Sequence, residues 1–264
     1  MRVAVVYTGL MRCFEQAYAE QKRFMFNVPS TYEFPVTYDF YFHTWSERGF
    51  YTGKGYLPEE NGFVRLKAED RGFHPGGEPI TPELIRSVYK NENIVDIVIE
   101  EFDDIQPIFD ARKENFPNAF TRPKNTIAMF YKIQKGMERF GEVRPVDYDM
   151  VMRMRPDILP QGPIWTSGYN PNAMLVYPGG NKLGKGVGDG VNISSQENIY
   201  RFSSAYSNLE DLYSVTGISC PHLYTEIMAN SLQLPLEFIR SPSTIAHSPH
   251  GAYQEPEGGM YIPQ

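Results

Sequence analysis

Asp147 to Pro160 reads D-Y-D-M-V-M-R-M-R-P-D-I-L-P, and how this stretch folds decides how the rest of the chain is arranged. Tyr148 to Met154 predicts a buried strand. Strand side chains alternate between faces, so Asp149, Val151, Arg153 and Arg155 share one face while Met150, Met152 and Met154 pack on the other. Pro156 has no N–H to give to a ladder, so the strand stops there and presents Asp157 at its C-terminal end as an exposed carboxylate. In open α/β sheets that edge is where ligands bind. Arginines suit phosphate and carboxylate groups, and a lone exposed carboxylate can hold a divalent metal that bridges phosphates. An internal ion pair, Arg153 or Arg155 with Asp149 or Asp157, accounts for the same residues. Both readings stay open at this point.

Before that strand, Val3 to Thr8 is a continuous apolar, β-branched run, the mark of a central parallel strand covered on both faces. Gly9 ends it, and a helical stretch follows from Phe14 to about Phe26. A strand, a glycine turn and a helix let a phosphate approach the backbone, and Arg12 stands at that turn. Tyr38 to His43 predicts a second strand, with His43 and Trp45 where it leaves the sheet. Trp45 is placed either to stack on a base or sugar or to pack in the core. His43 is either a ligand or a structural histidine. Residues 46 to 80 are Gly-rich and poorly periodic, and predict a long excursion over the site. Thr81-Pro82-Glu83 starts a helix that runs to about Lys90. Ile94 to Glu101 predicts a third strand, and Asp103 to Ala119 an irregular stretch. Thr121 to Phe140 is the clearest helix, with Ile127, Phe130, Ile133, Met137 and Phe140 in one stripe. Arg122 and Lys124 at its start oppose the helix dipole unless an anion sits among them.

After the organising strand, Ala173 to Tyr177 predicts a short strand. Gly179 to Gly190, G-G-N-K-L-G-K-G-V-G-D-G, predicts a flexible glycine loop without the G-x-x-x-x-G-K-[ST] pattern of a phosphate-cradling P-loop. Asp189 on that loop is either a general base or the cap of a turn. Tyr206 to Tyr213 and His222 to Ser231 predict helices, the second carrying Glu226. The tail holds His247 and His250, either surface groups or a metal ligand folding back.

Composition narrows the function classes. At 264 residues the chain accommodates one large or two small domains. A net charge of -7 argues against a nucleic-acid partner, which would want a basic face. Cys13 and Cys220 are too few for a disulfide framework and point to a reduced, cytoplasmic setting. The opening M-R-V-A-V-V-Y-T-G-L has too short an apolar run for a signal peptide, and no run approaches the roughly 20 apolar residues of a membrane span. A soluble protein is expected.

Four motifs occur in order: T-G-L-M-R from Thr8 to Arg12, D-F-Y-F-H-T-W from Asp39 to Trp45, M-F-Y-K-I-Q-K from Met129 to Lys135, and Y-D-M-V-M-R-M-R-P-D from Tyr148 to Asp157. Together they resemble GT-A-type glycosyltransferases of surface-polysaccharide gene clusters and of large viruses and phages. The likeness covers most of residues 1 to 160; beyond, it rests on D-G-V-N-I around Asp189 and on the helix with Glu226. It implies an α/β, GT-A-like (Rossmann-like) fold with a mixed, mostly parallel sheet flanked by helices. Residues 1–264 would form a single domain, 1–160 binding the nucleotide-sugar and 161–264 serving acceptor and catalysis. The donor would be a UDP-sugar held by Mn2+ (or Mg2+), with Thr8, Gly9, Arg12, Trp45, Lys132, Arg153 and Arg155 around it. The family commonly carries D-x-D at the strand end. Here Arg155 replaces the first Asp, so Asp157 carries over as metal ligand and His247 is the candidate to complete the shell. Asp189, then Glu226, are candidate bases for transfer of a hexose to a saccharide acceptor. A viral source would place the protein in host cytoplasm, and a homodimer is compatible. Two other classes share these features: a nucleotide-diphosphate or nucleotide-sugar hydrolase, and a non-catalytic glycan- or nucleotide-binding module.

Overall fold

β1 (Arg2–Gly9) lies inside the sheet, as its unbroken apolar run predicts, with Val3 to Tyr7 all buried. α1 (Phe14–Gln21) follows and continues into a π-helical turn over Lys22–Phe26. Next come β2 (Thr37–Trp45) and four short strands, β3 (Phe50–Tyr51), β4 (Tyr56–Glu59), β5 (Gly62–Arg65) and β6 (Phe73–His74). Then α2 (Pro82–Val88), β7 (Asn93–Glu100), α3 (Phe102–Lys113) and α4 (Pro123–Val143) lead to β8 (Met150–Met154). The last part holds β9 (Ile158–Pro160), β10 (Met174–Pro178), β11 (Val187–Ser194), α5 (Gln196–Phe202), a 3-10 segment (Ser203–Asn208), α6 (Leu209–Thr216), α7 (Pro221–Ser231), β12 (Leu236–Phe238) and β13 (Ser243–Ile245). This computed structural model describes residues 1–26, 35–51, 56–59, 62–65, 73–74, 77–117, 123–164, 170, 172–178, 187–239 and 243–245.

Seven strands make the main sheet, in the order β12-β10-β11-β8-β1-β2-β7. The pairs β7–β2, β2–β1, β1–β8 and β10–β12 are parallel, whereas β11 runs antiparallel to both β8 and β10. The expected mixed, mostly parallel sheet flanked by helices is therefore present. Its two faces are covered by different helices, as the alternation of β1 requires. Val3, Val5 and Tyr7 pack with Phe14 and Tyr18 of α1, Ile85 of α2, and Met150, Met152 and Met154. Ala4, Val6 and Val151 pack with Ile127, Phe130, Ile133, Met137 and Phe140 of α4. The alternation of Val151 with Met150, Met152 and Met154 is thus the real one, although the strand begins at Met150 and Tyr148 before it packs on the Val151 side.

The strand order creates a topological switch. From β1 the chain moves outward to β2 and β7, then returns past β1 to place β8 on its other side. The connections from the C-terminal ends of β1 and β8 pack on each other there, Gln21 of α1 donating to the carbonyls of Pro156 and Ile158, at the position where such sheets take ligands. Gly9 ends β1 at φ 108, a conformation that glycine adopts without a Cβ penalty.

Several expectations need correcting. Residues from Asp103 onward are helical in α3, not irregular. Phe102, Ile105 and Phe109 recur at helical spacing and pack on the core, so the stripe outweighs the single backbone bond that Pro107 removes. Asp189 does not ride a flexible loop. It lies inside β11, where Gly188 and Gly190 permit close packing: a Cβ on Gly188 would meet the Tyr177 carbonyl at 2.8 Å, and one on Gly190 would meet Ile158 Cδ1 at 2.7 Å. Gln196–Phe202 forms a helix that the sequence reading left out, capped by the Ser195 hydroxyl, which accepts from Asn198 N. The helix expected from Tyr206 begins at Leu209. Within the excursion over 46–80, residues 52–55, 60–61, 66–72 and 75–76 lie outside the described residues, as do 179–186 of the glycine loop, Arg122, His247 and His250. Among the described residues no helix is long and apolar enough to cross a membrane.

Candidate functional site

Arg12, from the turn after β1, and Arg155 and Asp157, from the turn after β8, meet at the C-terminal ends of the two strands, with Arg153 beneath them on β8 and Asp189 beside them on β11. Asp157 is fully buried, and its two oxygens serve two guanidiniums. Oδ2 accepts from Arg12 Nε at 2.9 Å, from Arg12 Nη2, and from Arg155 Nη2 at 3.0 Å, while Oδ1 accepts from Arg155 Nε at 3.0 Å. Arg155 Nη1 donates in addition to Asp189 Oδ2 at 3.1 Å. Arg153 spans the sheet: Nε donates to Thr8 Oγ1 at 2.8 Å, and Nη1 to Asn192 Oδ1 at 3.1 Å and to the Asp189 carbonyl.

Local structure puts each group in place. The Arg155 N–H donates to Gly190 O at 2.8 Å, so the β8–β11 pairing runs one residue past Met154 before Pro156 stops it. Gln21 of α1, wholly buried, then pins the turn: its Nε2 donates to the carbonyls of Pro156 at 3.1 Å and Ile158 at 2.8 Å, and its Oε1 accepts from Tyr7 OH at 2.5 Å. Buried carbonyls without such partners would carry a desolvation cost. On β11, Thr225 Oγ1 of α7 donates to Val187 O at 2.5 Å and anchors the strand that carries Asp189.

Burial by itself would raise the pKa of Asp157, but Arg12 and Arg155 outweigh it and hold the carboxyl below its usual range. The same balance, with Arg155 the main counter-charge and His222 nearby, holds Asp189 low. Both are carboxylates at neutral pH. Arg155 is raised although burial opposes it, because Asp157 and Asp189 flank it.

A second cluster occupies the C-terminal ends of β2 and β7. Lys132 of α4 is almost wholly buried; Nζ donates to Thr44 O at 2.7 Å and to Glu100 Oε2 at 2.5 Å, and lies 3.7 Å from the centroid of the Trp45 ring. Burial lowers its pKa to about 8, opposed by Glu100. His43 Nε2 stands 3.7 Å from Glu100 Oε2, too far for a hydrogen bond, and Nδ1 is buried with no partner among the described residues. Burial, then Lys132, lowers the His43 pKa to about 4, so the ring is neutral at pH 7 and its approach to Glu100 is no ion pair there. Gly136 gives this corner its space, since a Cβ there would meet Thr8 Cγ2 at 2.5 Å and His43 Cβ at 3.2 Å.

Of the residues singled out from sequence, Thr8, Arg12, Arg153, Arg155, Asp157 and Asp189 come together in one network. Gly9 borders it, its carbonyl accepting from Thr44 Oγ1 at 2.7 Å. Trp45 does not join it: it is core, edge-on to Phe102 at 5.1 Å and stacked with Tyr131 at 6.1 Å. Glu226 lies half-buried on α7 and takes part in none of the network's bonds among the described residues. The exposed carboxylate expected at Asp157 is instead a buried one, and the ion-pair reading of the stretch is realised with Asp157 as its acceptor. Asp149 belongs elsewhere, with Oδ2 accepting from Arg2 N at 2.7 Å. Gln21, Asn192 and His222 were missed, although Asn192 stands in the D-G-V-N-I motif.

These residues do not fit a divalent metal. A cation at Asp157 would have to displace a guanidinium while facing the others, and the described residues include no group of three His, Cys, Asp or Glu side chains able to hold one. His247, the other expected ligand, lies outside the described residues. What the arrangement offers is a largely buried cluster of guanidiniums at the end of two parallel strands, with Arg155 as its part-exposed member; guanidiniums suit phosphate oxygens. No family model and no curated protein matches the sequence. Among solved structures, the chain is similar to the crystal structure of mouse Xyloside xylosyltransferase 1 in its apo form, at a TM-score of 0.40 and 10% identity, covering 90% of this chain and 83% of that one.

Proposed function

We propose that the protein is a GT-A-like glycosyltransferase that moves a hexose from a nucleotide-sugar, with UDP as the nucleotide, to a saccharide hydroxyl. The observation that carries this reading is the convergence of Arg12, Arg153 and Arg155 at the switch point between β1 and β8. A diphosphate seated there would meet oriented N–H donors as its charge develops, the electrostatic contribution on which such reactions depend. The acceptor hydroxyl oxygen bonds to the anomeric carbon, the bond from that carbon to the diphosphate oxygen breaks, and the hydroxyl proton passes to a carboxylate. Asp189 is the candidate. With Arg155 bound it is a weak base, but a diphosphate that neutralises the Arg155 charge would weaken the hold on Asp189 and raise its proton affinity.

A thermal-shift screen of UDP-, GDP- and dTDP-sugars tests the reading. A ligand at about a hundred times its Kd adds about 2.7 kcal/mol of apparent stability, a shift of several degrees. One nucleotide class should shift the transition, and its diphosphate should be released only when a saccharide acceptor is supplied. No shift with any class overturns the proposal; release in water alone marks a hydrolase. The locking of both carboxylates by guanidiniums favours one second reading, a module that binds nucleotide-sugars without turnover. Binding without product under any acceptor would identify it.

A further inference from the structure

We propose that the site holds its nucleotide diphosphate through guanidinium groups without a divalent cation, and that Asp157 is a positioning residue for Arg12 and Arg155, not a metal ligand. The inference rests on the nucleotide-sugar reading and deepens it. Among the described residues, three guanidiniums stand against two carboxylates in this network, an excess of positive charge. Both oxygens of Asp157 are already acceptors, from Nε and Nη2 of Arg12 and from Nε and Nη2 of Arg155. A metal arriving at Asp157 exchanges those bonds for coordination and brings like charges together in a buried space, whereas a diphosphate brings the charge that the network lacks.

Arg155 is the part of the network that a ligand meets first. Its side chain is 19% exposed, against 4% for Arg12 and 1% for Asp157. Of its five N–H donors, Nε and one on Nη2 are directed to Asp157 and one on Nη1 to Asp189, so one on each Nη nitrogen has no protein acceptor among the described residues. Asp157 fixes the guanidinium plane through Nε and Nη2, and the remaining N–H groups lie in that plane, where they can donate to phosphate oxygens. Arg155 occupies the place of the first carboxylate in a D-x-D motif, so a positive side chain replaces the charge that a metal would otherwise supply. Fixing its plane is what a carboxylate with no outlet to solvent can contribute.

The experiment is isothermal titration of UDP, GDP and dTDP into the wild-type protein, in EDTA and again with excess manganese. One nucleotide is expected to bind with the same Kd in both. Arg155→Gln, which leaves the Arg12–Asp157 pair in place, is expected to weaken that binding in EDTA roughly ten- to hundred-fold, the loss of a charge-assisted hydrogen bond, with an unchanged circular dichroism spectrum. Asp157→Asn should also lose affinity in EDTA, where a missing metal ligand has no effect. Binding that requires manganese, or an Arg155→Gln protein with unchanged Kd, overturns the inference and leaves the transferase reading intact. No binding of any of the three nucleotides in either condition overturns both.

Discussion

Replacing Asp157 by Asn separates a structural carboxylate from a metal-binding one. The wild-type side chain is fully buried and compensates Arg12, itself almost entirely buried, and Arg155. Asn keeps one acceptor but turns an NH2 group toward guanidinium donors. Breaking a buried pair by removing one partner costs about 3–5 kcal/mol. Arg155 retains Asp189 at 3.1 Å and some contact with water, which places the expected loss at the lower end, about 3 kcal/mol. That is a large share of the roughly 5–15 kcal/mol of a typical domain. In a chain of this size it corresponds to a fall in Tm of about 6–12 °C. Urea denaturation at neutral pH measures it directly. Because the folded pKa of Asp157 is lowered, its contribution is present above the unfolded value near 3.9 and is lost as pH falls through the lower folded value, so the gap between wild type and variant closes in acid. A carboxylate kept for a metal is electrostatically frustrated without it. A variant as stable as wild type, within about 0.5 kcal/mol, or more stable, would refute the reasoning.

His43 has its pKa lowered from 6.5 to about 4, so the unfolded state binds its proton first, and stability falls as pH drops from 6.5 to about 4. The full loss is about 3 kcal/mol, and denaturation midpoints across this range should lose that component of their slope in His43→Gln; identical slopes would remove the assignment. Gly136→Ala should gain about 1 kcal/mol of helix propensity yet be destabilised overall, because its Cβ meets Thr8 Cγ2 at 2.5 Å and overpacking costs about 1–3 kcal/mol. A thermally stabilised Ala variant would show that α4 is not seated as tightly on β1 as the structure has it.

The sequence by itself determined the elements whose signal is local. The β-branched run from Val3, the alternation of Met150, Met152 and Met154 with Val151 and Arg153, and the stripe of α4 are periodicities that a core must bury in only one way. Those periods, with Pro156 as the stop, located the strand edge where the arginines and Asp157 meet and named most of the residues found there. Where local signals conflicted, packing decided. Pro107 argued against a helix that Phe102 and Phe109 nonetheless bury, and the end of a glycine-rich string that reads as a loop, Val187 to Gly190, opens β11 because Gly188 and Gly190 fit against Tyr177 and Ile158. The character of the site was beyond local reading. Arg12 and Asp157 lie 145 positions apart, and Arg155 and Asp189 lie 34 apart. No spacing rule says that Arg12 and Arg155 share Asp157, that Arg155 also reaches Asp189, that Gln21 of α1 fixes the turn after β8, or that Asp157 is sealed from solvent. Charge and hydrogen-bond partners at those distances are chosen by the strand order, which brings β1, β8 and β11 side by side. Only the tertiary structure could therefore turn a strand-end aspartate from an exposed metal ligand into the buried anchor of two guanidiniums.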